Sequence, residues 1–213
     1  MDLDNRKNAP FSSNLQLYSY CYSSCSWRTR FALCLKGFIK YQIKKSKRLN
    51  PLHYVPVLVD DNIVVLDSYA IILHLEEKYT QKPLLQVGPQ LRALNLQVAS
   101  IVHSSIQPLH MLSLLKDMEK KFGAESKPWA QFTINKGFSA LEKLLKDFAA
   151  TYASGNVSAD VFLVADIEQS VERFGVDMSK FPTLSRLYET YKALPEFQAS
   201  SHQRQHHSQP STT

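Results

Sequence analysis

Three small hydroxyls and a thiol stand in a row at Ser23, Ser24, Cys25 and Ser26, with two arginines, Arg28 and Arg30, close behind. Ahead of them, apolar and polar residues alternate over 15–20, which predicts a half-buried strand. Behind them, the stretch 27–36 lacks Gly and Pro and predicts a helix that stops at Gly37. The row therefore sits at a strand-to-helix turn. The first N–H groups of a helix have no intrahelical partner and carry the positive end of its dipole, so an anion is stabilised there. The fitting anion is a thiolate, brought by a ligand or formed by Cys25 itself. A purely structural role stands beside this one, in which Ser23 or Ser24 caps the helix.

The elements that would position this turn follow in order. Residues 38–43 alternate well enough for a second strand, parallel to the first through the helix. Pro56 stands at the mouth of a β run over 57–59, where a cis Val55–Pro56 bond would expose backbone to a ligand. A second β run, 63–66, pairs back through Asp60, Asp61 and Asn62. Asp67 and Ser68 then open a helix over 68–79, with Ala70, Ile71, Leu73, His74 and Leu75 expected to pack on the sheet. Residues 81–89 read as a linker. Beyond residue 90 the β runs vanish and helical periodicity predicts helices over 91–103, 108–122, 129–149, 159–174 and 183–193. The predicted fold is an α/β domain at 15–80 followed by an all-α domain at 90–198. Polar arms at 1–14 and 199–213 flank them, the latter carrying His202, His206 and His207, read as solvated rather than metal-binding.

Composition narrows the classes. The 213 residues are 44% hydrophobic and 21% charged, an ordinary globular make-up that can bury a sizeable core. No apolar run is read as a membrane span and no signal-peptide core is read at the N-terminus. Cys21, Cys25 and Cys34 form neither a disulfide framework nor a Cys-x-x-Cys pair, which argues against a metal site and fits a reducing, cytoplasmic setting. The net charge of +6 gathers partly at Lys40, Lys44, Lys45, Lys47 and Arg48. No aromatic-rich motif accompanies that group, so it reads as a solvated edge and not a nucleic-acid groove. The excess also favours small anionic partners.

The order of strand, Ser-Ser-Cys turn, helix, strand, Val-Pro, hairpin and Asp-Ser helix resembles the thioredoxin-like domain of glutathione transferases. The run Ser-Ser-Cys-Ser-Trp-Arg-Thr-Arg-Phe-Ala-Leu at 23–33 resembles the signature of the zeta class, the maleylacetoacetate isomerases, with the plant members most alike. Ser104-Ser-Ile-Gln-Pro-Leu, Lys136-Gly-Phe-Ser-Ala-Leu-Glu-Lys-Leu-Leu and Glu172-Arg-Phe extend the likeness over about 15–198. The resemblance implies the glutathione transferase fold, a homodimer, and glutathione as cofactor. It implies that Ser23 donates a hydrogen bond to the glutathione sulfur, with Ser24 as the alternative donor and Cys25 beside them. It further implies glutathione contacts from Ser26, Arg28, Val55, Pro56, Asp67, Ser68 and Gln107, and substrate contacts from Arg28 and Arg173. The implied reaction is the cis–trans isomerisation of maleylacetoacetate in tyrosine and phenylalanine breakdown: a thiolate adds reversibly to a conjugated double bond so that rotation becomes free. Displacement of halide from small α-halo acids is an implied side activity.

The chain departs from the pattern in four places. Where relatives place a loop and a helix after the second strand, only residues 44–49 precede Asn50-Pro51. Six extended residues reach about 20 Å against a gap of about 10 Å between flanking strands, so the sheet can close without that helix, at the loss of one wall of the glutathione site. Tyr22 stands where relatives usually carry arginine, His110-Met111 where they carry a polar pair, and Val157 where a capping residue is usual before the helix near Asp160. These departures keep a second expectation open, a transferase-like protein of weak or absent activity that binds ligands or proteins.

Overall fold

Leu15 and Leu17, on either side of Gln16, are sealed from solvent, and around this short apolar strand a sheet assembles. In the computed structural model, residues 15–38, 42–44 (by their backbone), 49–86, 88–123, 125–149 and 160–201 are described. The arm 1–14, the short connection 45–48, the side chains of the basic group at 40–48, Val157 and His202, His206 and His207 lie outside them. Two compact units result, one comprising residues 1–84 and 193–213, the other 85–192.

In the first unit, β1 (Gln16–Tyr18), β2 (Gln42–Lys44), β3 (Val57–Asp60) and β4 (Ile63–Leu66) form one sheet in the order β2-β1-β3-β4. β2 runs parallel to β1, while β1–β3 and β3–β4 are antiparallel. This is the topology expected of a thioredoxin-like domain. β1 and β2 are shorter than the alternation predicts; Phe38, expected in β2, is instead a core residue ahead of it. Helix α1 (Ser24–Leu35) is followed by Gly37 at φ 86°, a left-handed conformation that glycine adopts without steric cost. Helix α2 (Ser68–Lys78) buries Ser68, Ile71, Ile72, Leu75 and Glu76, whereas Ala70, expected to face inward, is exposed and Leu73 only half-buried. The core joins Leu15, Leu17, Leu33, Phe38, Leu58, Ile71, Leu75 and Tyr79.

Two polar networks close the end of this unit where α1 and α2 finish. The Asp60 carboxylate, fully buried, accepts from Lys78 Nζ at 2.9 Å and Tyr79 Oη at 2.8 Å and pairs with His74 Nε2 at 2.8 Å. Burial alone would raise the Asp60 pKa; the hydrogen bonds from Lys78, His74 and Tyr79 outweigh it and hold the carboxyl below its ordinary value. Lys36 Nζ donates to Glu76 Oε2 and to the Tyr79 carbonyl, both at 2.8 Å, and Glu76 accepts from the Leu84 N–H. Burial lowers the Lys36 pKa despite that partner.

The first unit also contains helix α8 (Pro195–Ser200), which packs on α1. Phe197 stacks on Trp27 at 5.0 Å between centroids and meets Phe31 edge-on at 5.3 Å. Trp27 Nε1 donates to Ser200 Oγ at 2.9 Å and Arg30 Nε to the Ser200 carbonyl at 2.9 Å. The sequence reading carried the helical domain to residue 198. The helical unit instead ends at Lys192, because these contacts tie α8 to α1.

The second unit is helical: α3 (Pro89–Ser100), a π-helical stretch (Ile101–Ile106), a 3-10 turn (Gln107–His110), α4 (Leu112–Phe122), α5 (Ser126–Leu145), α6 (Asp160–Phe174) and α7 (Pro182–Lys192). Gly137 on α5 is required by close approach, since a Cβ there would overlap the Ile106 side chain. The run Pro89–Phe122 is long and apolar enough to cross a membrane by length and composition alone, which the sequence reading did not foresee. Val98, Ala99, Val102 and Ile106 in it are buried, and it packs on α5 and α6 as a core element of this unit.

Candidate functional site

The sheet register fixes where the site lies. Tyr18 pairs with Val57 and Val57 with Leu66, so β1 ends, β3 begins and β4 ends along one row. The turn leaving β1, the Val55-Pro56 segment entering β3 and the Asp67-Ser68 pair leaving β4 therefore emerge side by side, about 5 Å from one strand to the next. Both α1 and α2 begin at this end and bring two positive helix termini to it.

At the first terminus, Ser23 is the N-cap of α1: its Oγ accepts from the Ser26 N–H at 3.2 Å. A hydroxyl that accepts still has its proton to donate, so capping and donation to a ligand sulfur coexist in one residue. The Ser23 N–H donates to the Tyr20 carbonyl at 3.2 Å, closing a tight turn. Ser23 and Cys25 are half-buried, whereas Ser24 is buried and Ser26 fully so. The Ser26 hydroxyl accepts from the Tyr20 N–H at 3.3 Å and braces the turn from beneath. This corrects the expectation that its side chain contacts glutathione, and Ser24 is likewise turned inward. Arg28 is also fully buried, so its guanidinium faces no solvent.

At the second terminus, Asp67 caps α2, its Oδ1 accepting from the N–H groups of Tyr69 at 2.8 Å and Ala70 at 3.2 Å. Its φ of 72° lies in a region that a non-glycine residue occupies at a cost of about 1–3 kcal/mol. Beside it, Ser68 is 1% exposed and its Oγ has no hydrogen-bond partner. An unmet buried hydroxyl costs about 1–3 kcal/mol. A strained cap and an orphan hydroxyl at one helix start describe a place held ready for a ligand's polar group. Between the two termini the Val55–Pro56 bond is cis, with Val55 half-buried and Pro56 buried.

Comparison with known proteins agrees with this geometry. Residues 17–83 match the glutathione S-transferase N-terminal domain. The chain is 45% identical over 203 residues to a zeta-class glutathione S-transferase of Euphorbia esula, covering 89% of this chain and 90% of that one. It is 42% identical over 206 residues to the maleylacetoacetate isomerase of Mus musculus, covering 89% and 93%. Among solved structures it resembles the maleylacetoacetate isomerase of Anaeromyxobacter dehalogenans 2CP-1 with bound dicarboxyethyl glutathione and citrate. There the TM-score is 0.84, at 33% identity over 93% of this chain and 95% of that one. The chain belongs to the zeta class of the glutathione transferases.

Two site residues expected from this zeta-class likeness lie in the second unit. Gln107 is half-buried and opens the 3-10 turn directly after the π-helical stretch. Arg173 is exposed in the last turn of α6, its guanidinium 5.8 Å from the centre of the Phe174 ring. His110, one of the departures from the zeta pattern, is a core residue: its Nε2 lies 3.4 Å from Asp166 Oδ1 and its ring meets Phe174 edge-on at 5.4 Å.

Sequence reasoning missed two supports of the zeta-class turn. Arg30, fully buried, donates to Ser19 Oγ at 2.8 Å and to the carbonyls of Tyr20 and Cys21 at 3.4 Å each. The Arg-x-Arg spacing was the available signal, but only the fold shows that the second arginine holds the turn. Asn50 does the same for the loop entering β3, donating to the Tyr54 carbonyl at 3.1 Å and accepting from the Leu52 N–H at 2.9 Å.

Proposed function

We propose that this chain is a cytoplasmic, homodimeric, glutathione-dependent isomerase that converts maleylacetoacetate to its trans isomer in tyrosine and phenylalanine breakdown. The observation that carries the reading is the pairing, at one end of the sheet, of the Ser23 hydroxyl on one helix terminus with the unmet Ser68 hydroxyl on the other. Glutathione, when bound, supplies the thiol that makes a conjugated cis double bond free to rotate.

The residues divide the work. Ser68, through its hydroxyl and the α2 terminus, holds the γ-glutamyl carboxylate, and Asp67, exposed beside it, meets the ammonium. Val55 offers backbone groups to the cysteinyl portion in the manner of an added strand. Ser23 donates its proton toward the sulfur, and the α1 terminus adds its dipole; together they favour a thiolate over a thiol whose free pKa is about 8.5. Arg173 and Gln107 are the candidates for the acidic substrate's carboxylates. The same thiolate suits displacement of halide from α-halo acids.

The deciding experiment assays maleylacetoacetate isomerisation by the full chain with and without glutathione, alongside calorimetric titration with glutathione. Glutathione-dependent turnover that Ser23→Ala removes supports the proposal. Glutathione binding without turnover makes the chain a binding module, and neither binding nor turnover removes the reading.

A further inference from the structure

Tyr20 and Tyr22 flank the Ser23 hydroxyl, and they carry an inference that rests on the glutathione reading above. Tyr20 is 49% exposed and Tyr22 37%. Their rings meet edge-to-face, with centroids 5.8 Å apart and planes at 63°, the geometry favoured by the ring quadrupoles. A single exposed tyrosine is commonplace. These two are set apart by the rigidity beneath them and by the charges kept away from them.

The backbone carrying them is fixed on every side. The Tyr20 N–H is bound to Ser26 Oγ and the Tyr20 carbonyl to the Ser23 N–H, and Arg30 grips the Tyr20 and Cys21 carbonyls from within. The rings are thus presented by a preorganised turn, and a tyrosine held this way offers a large contact surface at small entropic cost. The two cations nearest in sequence, Arg28 and Arg30, are both 0% exposed. On the neighbouring loop that enters β3, Leu52 is 69% and Tyr54 46% exposed. What this end of the first unit shows a second substrate beside the thiol donor is therefore aromatic and apolar, with no guanidinium of the turn facing outward.

We propose that Tyr20 and Tyr22 form an aromatic subsite that takes a neutral ring carried on, or approaching, the glutathione sulfur. The substrate class is aromatic electrophiles and their S-aryl or S-benzyl glutathione conjugates, in addition to the acidic substrate of the isomerase reading.

The test is calorimetric titration of the full chain with glutathione, S-benzylglutathione and S-(dicarboxyethyl)glutathione. The benzyl conjugate is expected to bind about tenfold tighter than glutathione, the size of one well-placed aromatic contact, with no such gain for the dicarboxyethyl conjugate. Tyr22→Ala and Tyr20→Ala should bring the benzyl-to-glutathione ratio to near one, Tyr22→Phe should preserve it, and Tyr22→Arg should move the gain to the dicarboxyethyl conjugate. A wild-type ratio near one, or a gain that both alanine variants keep, overturns the subsite while leaving the glutathione site standing. Failure of glutathione itself to bind overturns the underlying reading, and the subsite with it.

Discussion

The two ends of the sheet in the first unit are built on opposite terms. Where α1 and α2 finish, every oxygen of Asp60 is engaged, and Lys36 and Glu76 share their bonds with the backbone of Tyr79 and Leu84. Where the helices begin, Asp67 sits at φ 72° and Ser68 Oγ is buried without a partner. Stability is concentrated at one end so that strain and unmet polarity can be kept at the other, which is where a ligand contributes the missing bonds.

That contrast can be broken by substitution. Asp60→Ala leaves Tyr79 and Lys78 without their shared acceptor and should lower unfolding free energy by about 3 kcal/mol, read as a fall in the urea midpoint. Glutathione affinity of the folded fraction should stay unchanged, and a large loss of affinity would mean that the two ends are not separable. Ser23→Ala should cut glutathione-dependent turnover about 100-fold while stability falls by only about 1 kcal/mol for the lost cap. Thermal melts beside rate measurements distinguish the two effects. Ser68→Ala sharpens the comparison most, because removing an unmet hydroxyl should leave the ligand-free protein as stable as before or slightly more so. It should weaken glutathione binding about tenfold, and a loss of ligand-free stability would show that the hydroxyl serves the fold.

The smallest expected effects are in pH. The Asp60 pKa is depressed on folding, so its contribution is fully present above its unfolded value of about 3.9 and is lost as pH falls through the lower folded value. The stability gap between wild type and Asp60→Ala should therefore narrow below about pH 3.9, measured by acid titration of the denaturant midpoint. In the second unit the sign is opposite. Burial first, and the Glu172 carboxylate next, push the Glu168 carboxyl up to about 7, while Tyr188 Oη donates to it. A raised carboxyl pKa gives stability that is present below about pH 4.3 and lost as pH rises through about 7. Glu168→Gln should match wild type near pH 4 and exceed it at pH 8.

Much of the first unit was legible because its signals are local. Alternation marked the strands, Gly37 the end of α1, and the Asp-Ser pair the start of α2. The serine row marked the turn, but not which hydroxyls face outward: Ser24 and Ser26 turn inward because the helix phase and the Tyr20 N–H decide it. The burial of Arg28 and Arg30 was illegible for the same reason, since a charged residue near a turn reads as exposed until its partners are known. The π-helical stretch carries no periodic mark; it coincides with the approach of Ile106 to Gly137, thirty-one residues away by subtraction. The attachment of α8 was hidden because a six-residue helix after Leu194 has little pattern, and its anchors, Trp27 and Arg30, lie at the far end of the chain.

That attachment has a consequence for how the protein is made. Arg30 grips the turn before Ser23 with one part of its guanidinium and the Ser200 carbonyl with another, across 170 residues. At about 5–20 residues per second, Ser200 is synthesised about 10–35 s after Arg30. Through that interval the first unit has its strands and both helix termini, but the arginine that sets the turn has only half of its partners. The chemistry encoded earliest in the chain is the last to be locked, and translation must be nearly complete before the turn is held from both sides.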